Sequence, residues 1–186
     1  MNNTISKNTL INNTIGIKLN NYYQSDPRYT TISSVNSTNN VFEYNRIVDN
    51  TYNLQSEYLN STYGNATGLI TNNSDNFNWW GLNNPEDSIF QNASAFNASY
   101  WFVTNLSSMQ DSVNKSSPAR FNYTIGLNDP TVLANPMNLP YFTFNVDSKT
   151  YDARQNQVLS KVYNEAGDKV YGFFVYNQWL EAKVKD

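Results

Sequence analysis

The chain has 186 residues, with 12 Lys and Arg against 15 Asp and Glu, and contains neither cysteine nor histidine. A formal net charge of −3, with only 15% of residues charged, supplies no basic surface that could release counterions from a phosphate backbone, which argues against nucleic acid as a partner. The two missing residue types exclude a thiol nucleophile, a Ser-His-Asp triad, and thiolate or imidazole metal and haem sites.

What chemistry remains must use hydroxyl, carboxylate, lysine or tyrosine groups. Asn, Ser and Thr together make up about a third of the chain, and with 14 tyrosines this composition suits extended β surface rather than disorder. No apolar run approaches the length of a membrane span, and the N-terminus carries neither a basic nor an apolar targeting region, so no membrane insertion is expected within this segment. Met1 is followed at once by a repeat in mid-stride, which leads us to expect a fragment of a longer protein, with targeting and anchoring segments outside it. The length allows two small domains: residues 1–84, a connector over 85–99, and residues 100–186.

In the first half, Asn3, Asn8 and Asn13 stand five residues apart, separated by short β-branched runs, and the spacing returns at Asn40, Asn45 and Asn50. Such runs are too short for sandwich strands but suit the rungs of a right-handed parallel β-helix. In that solenoid the β-branched side chains point inward and asparagine occupies the corners, where it tolerates a left-handed backbone and bonds its counterpart one rung away. The segment from Asn21 to Tyr29 interrupts the pattern with Pro27 and clustered tyrosines, which predicts a loop thrown out of a rung. Tyr22, Tyr23, Asp26, Arg28 and Tyr29 on this loop are the candidate ligand-binding residues, because they combine aromatic surface with hydrogen-bonding groups; rings folded back on the solenoid flank are the alternative.

Trp79 and Trp80 follow a last, irregular rung, and Gly81 comes next. A final rung exposes its core unless something large covers it, so Trp79, Trp80 and Gly81 read as a structural cap, with a sugar-stacking platform as the other possibility. The connector, rich in Ala and Ser, has little periodicity. In the second half Phe121, Tyr123, Ile125 and Leu127 alternate with polar residues, as do Phe142 and Phe144, and finally Leu180, Ala182 and Val184 with Glu181, Lys183 and Lys185. Six or seven strands with frequent turn signals describe an immunoglobulin-like β-sandwich, a pattern that a small open barrel would share. The fold class is therefore all-β.

An Asn-rich solenoid that closes in Asn78-Trp79-Trp80-Gly81, continues through Asn83-Asn84-Pro85, and passes through Tyr100-Trp101-Phe102-Val103 into a sandwich resembles the adhesin-like cell-surface proteins of methanogenic archaea. The resemblance implies an extracellular, surface-displayed, non-enzymatic protein with a binding or spacer role, whose partners would be glycans or surface proteins of other cells. It implies no cofactor. Two departures are the absence of glycine from the turn at Asn114 to Pro118 and the small number of clear rungs.

Asn-x-Ser/Thr acceptors for N-glycosylation occur at Asn2, Asn12, Asn36, Asn60, Asn65, Asn72, Asn92, Asn97, Asn105, Asn114 and Asn122. The alternative to adhesion is a carbohydrate-active enzyme working with paired carboxylates, for which the solenoid offers Asp26, Glu43, Asp49, Glu57 and Asp75, each isolated. An inert stalk is the other alternative. Asp75, Glu86 and Asp87 are acids without the loop pattern of a calcium site.

Overall fold

Runs of two to six strand-forming residues, several of them ending at an asparagine corner, give the first half its architecture. The computed structural model describes residues 2–23, 33–58, 60–61, 64–65, 68–85 and 89–185. Every regular element among them is a strand or a three-residue 3-10 turn, so the protein is all-β. The chain separates into two units, Met1–Trp80 with Asn84–Trp101, and Gly81–Asn83 with Phe102–Asp186.

In the first unit the stacked strands pair in parallel, each turn of chain lying on the one before, and only the short pairs at Tyr22–Tyr23 with Ser33–Ser34 and Asn60–Ser61 with Gly64–Asn65 are antiparallel among the described residues. Thr4–Ser6 pairs with Val41–Glu43, Thr9–Ile11 with Arg46–Val48, and Ile15–Asn20 with Tyr52–Glu57. The third turn follows through Ser74 opposite Val41 and Trp79 opposite Arg46. Inward-facing residues form apolar columns: Ile17, Phe42, Ile47, Leu54, Trp80 and Phe96 make the core. The first turn covers its own apolar residues poorly, since Ile5, Leu10 and Leu19 are only half-buried while Ile47 and Leu54 in the second are fully buried.

Within the expected connector over 85–99, the described strands join the stack. Phe90–Gln91 pairs in parallel with the strand Tyr52–Glu57, and Phe96–Asn97 with Asn73–Ser74. The reason is burial: Phe90 meets the Trp80 ring edge-on at 5.4 Å and Phe96 meets Phe42 at 6.1 Å. Trp79 and Trp80 are buried, at 0% and 3% exposure, and Gly81 takes a left-handed φ of 83°. The tryptophan pair thus belongs to the third turn and is not the outermost layer, because Phe90 and Phe96 follow it. Buried indoles also leave no face for a sugar.

The asparagine corners need a correction of mechanism. Positive φ falls on the residue immediately before the corner asparagines from Asn8 onward: Lys7, Asn12, Asn39, Tyr44, Asp49, Asn72 and Phe77 lie between 54° and 60°, three of them asparagines themselves. The corner asparagine itself is selected by its side chain. Asn40 donates its backbone N–H and its amide to Oδ1 of Asn73, at 3.0 and 2.9 Å, and Asn3 donates its amide to Oδ1 of Asn40 at 3.0 Å. The second column runs through Asn8, Asn45 and Asn78, and the third through Asn13 and Asn50. Tyr44 and Phe77 are bulky residues in a conformation that costs such side chains about 1–2 kcal/mol. Their rings stack at 5.6 Å, and Phe77 stacks on Tyr100 at 6.2 Å, contacts that offset part of that cost.

The second unit is antiparallel throughout its strand pairs. Phe102–Ser108 and Gln157–Val162 flank the long central strand Pro118–Leu127. Thr143–Val146 pairs with Lys149–Asp152, and Lys169–Val175 with Gln178–Val184. Phe121, Tyr123 and Leu159 on the three-stranded sheet are buried, as are Phe144, Phe173 and Leu180 on the hairpins. The two sets face each other: Phe121 stacks on Tyr171 at 4.5 Å, and Tyr123 meets Phe144 at 4.6 Å. The glycine-free turn at Asn114 to Pro118 places Ser116 at a φ of 63°.

Candidate functional site

The stretch 169–184 folds as a hairpin because apolar and polar residues alternate along both arms and Tyr176-Asn177 turns the chain between them, with Tyr176 in the left-handed region at 55°. Leu180, Ala182 and Val184 point into the core, which sends Trp179, Glu181 and Lys183 to the opposite face. There Trp179 is opposite Phe174, their ring centroids 4.9 Å apart and tilted by 58°. Both stay open, Trp179 at 44% exposure and Phe174 at 59%.

The indole has a fixed pose. A Cβ on Gly172 would fall 2.4 Å from Cζ2 and 2.8 Å from Cη2 of Trp179, so the benzo ring lies directly over the glycine backbone. At its other edge Nε1–H donates to Oε2 of Glu181 at 3.0 Å. A glycine in the interior of a strand marks a place of close approach, and here the visitor is an aromatic ring. Sequence reasoning did not single out Trp179, Phe174 or Gly172, and named Glu181 only as an outward charge of the terminal strand. The signal was present in parity: if Leu180 faces inward, Trp179 shares the outer face with Glu181 and Lys183.

The candidate loop is only partly described. Tyr22–Tyr23 pairs antiparallel with Ser33–Ser34, and the Tyr22 hydroxyl donates to Oε2 of Glu57 at 2.9 Å. Glu57 also pairs with Lys18 at 2.6 Å, and this bond holds its carboxyl below the usual range, while the same Glu57 raises the Tyr22 phenol. Asp26, Arg28 and Tyr29 lie outside the described residues, as does the Tyr23 side chain.

Comparison with family models, with characterised proteins and with solved structures finds no match.

Two of the described acids of the stack, Asp75 and Glu57, have separate partners. Asp75 is fully buried in the third turn, where its Oδ1 accepts from Nδ2 of Asn78 at 2.8 Å and its Oδ2 has no hydrogen-bond partner. Burial pushes its carboxyl well above the usual range, the protonated form being favoured. Glu57 is engaged with Lys18 and Tyr22. Glu86 and Asp87 lie outside the described residues, and among the described residues no three His, Cys, Asp or Glu side chains group as a metal site. In the second unit Asp152 is bonded to Arg154 at 2.8 Å, and Asp147 accepts from Lys161 and from the Tyr171 hydroxyl.

Of the glycosylation acceptors, Asn2, Asn12, Asn36, Asn72, Asn92, Asn97, Asn105 and Asn114 are exposed, and Asn122 is half-buried. Asn60 pairs with Asn65 across a short antiparallel bridge, and their side chains lie outside the described residues.

Proposed function

We propose that this chain is a section of an extracellular, adhesin-like cell-surface protein, made of terminal rungs of a right-handed parallel β-helix and an immunoglobulin-like β-sandwich. Its role is adhesion, or presentation of a distal binding region, without catalysis. The observation that carries this reading is the asparagine ladder. Asn40, Asn45, Asn50, Asn73 and Asn78 spend their side-chain amides on rung-to-rung bonds, so the polar groups of the stack hold a rod together and do not line a reaction site. The exposed acceptors at Asn2, Asn36 and Asn105, among others, support display outside the cell, where glycans can be attached.

A panel of polysaccharides tests the proposal against the alternative of a carbohydrate-active enzyme. An adhesin retains glycan on immobilised protein and leaves it unaltered; release of reducing ends or unsaturated sugars sinks the reading. An inert stalk does neither.

A further inference from the structure

We propose that the outer face of the Lys169–Val175 and Gln178–Val184 hairpin, centred on Trp179 and Phe174, binds the C–H face of a neutral pyranose within a glycan chain. This rests on the non-catalytic binding role given above and names its site and ligand class.

Three features of the face select a sugar. The first is preorganisation: Gly172 leaves room for the indole to lie against the strand, and Glu181 pins Nε1–H, so little side-chain freedom is lost on stacking. The second is the pattern of groups. The open indole face, with the Phe174 ring tilted beside it and exposed Val170 further along, is bordered on the same side of the hairpin by a carboxylate at Glu181 and an ammonium at Lys183. A pyranose has the complementary pattern, with C–H groups on its face and hydroxyls around its edge that both donate to a carboxylate and accept from an ammonium. The third is size. A stable protein partner requires about 800 Å² from each side, which two rings and a valine do not approach, whereas they match one or two sugar rings. Glu181 touches the indole edge and Lys183 stands one pair further along, which favours neutral sugars over uronates.

The test follows the four indole N–H signals by NMR while the folded chain is titrated with tetrasaccharides of glucose, galactose and mannose, and with tetragalacturonate. A saturable shift of the Trp179 signal with at least one neutral tetrasaccharide, with Trp79 and Trp80 unmoved, is the expected result. Trp179→Ala should weaken binding about tenfold or more at unchanged Tm, and Trp179→Phe should retain part of it. Gly172→Ala, which removes no ring atom but forces the indole off its seat, should weaken it as well. An unmoved Trp179 signal overturns the proposal, as does a response to tetragalacturonate equal to that of the neutral sugars. Glycan retention that persists unchanged in Trp179→Ala overturns this site alone and leaves the adhesin reading standing; no retention at all removes both this site and adhesion by this chain, and leaves only presentation of a distal binding region.

Discussion

Asn78 clamps the turn that precedes it at two points: its Oδ1 accepts the backbone N–H of Asn45 at 2.7 Å, and its Nδ2 donates to the carbonyl of Phe42 at 2.9 Å. The relationship repeats one turn earlier, where the amide of Asn45 reaches the carbonyl of Ile5. In the first turn it changes character, and the amides of Asn8 and Asn13 turn back to the carbonyls of Ser6 and Ile11 in their own corners.

Asn78→Ala therefore leaves a buried donor and a buried acceptor unpaired, and should cost about 2–4 kcal/mol. Asn8→Ala loses a largely exposed amide and should cost less than about 1 kcal/mol. Urea unfolding of the two variants checks the contrast; equal losses would show that the ladder does not clamp the stack.

Asp75 gives a pH dependence of definite sign. Its folded-state carboxyl is raised above the unfolded value, so the stability it permits is full below the unfolded pKa and is lost as pH rises through the folded one. Asp75→Asn keeps the shape and removes the ionisation. The variant should be more stable than the parent at neutral pH, with the two converging below pH about 4. Urea midpoints measured across that range decide it, and a gap that stays constant with pH would contradict the burial argument.

Gly16 lies where a Cβ would meet Cγ2 of Ile47 at 2.7 Å and the carbonyl oxygen of Asn53 at 2.8 Å. Gly16→Ala should overpack the stack and destabilise it by about 1–3 kcal/mol. Gly126 has open space at the same distance, so Gly126→Ala is the control that should leave the midpoint nearly unchanged.

Hydrogen exchange should reveal the uncovered edge. Among the described residues, Thr4–Ser6, Thr9–Ile11 and Ile15–Asn20 are terminal in their sheets. In the second turn the amides of Val41, Arg46 and Tyr52 donate to Asn3, Asn8 and Thr14. Their counterparts Thr4, Thr9 and Ile15 face the free side by the same register and should exchange much faster.

The return of the five-residue asparagine spacing after 37 residues determined the stacking of the first two turns, because a ladder needs one amide at the same corner of every turn; the third turn follows the second at 33 residues. Strict alternation likewise determined the inner and outer faces of Pro118–Leu127 and Gln178–Val184, since side chains on a strand alternate whatever the tertiary partners. Alternation did not disclose which outward residues act together. Phe90 and Phe96 joined the stack because apolar columns there needed cover, a demand absent from their own aperiodic stretch. The split between the left-handed residue and the ladder asparagine appeared only with backbone angles, since Lys7, Tyr44 and Phe77 carry no local preference for that conformation. The Trp179 platform depends on a diagonal neighbour across the hairpin, where a missing side chain at Gly172 makes the seat. Sequence set the periods, which are local; tertiary structure decided the coincidences between distant positions, because burial and ring placement depend on what each turn or strand finds beside it.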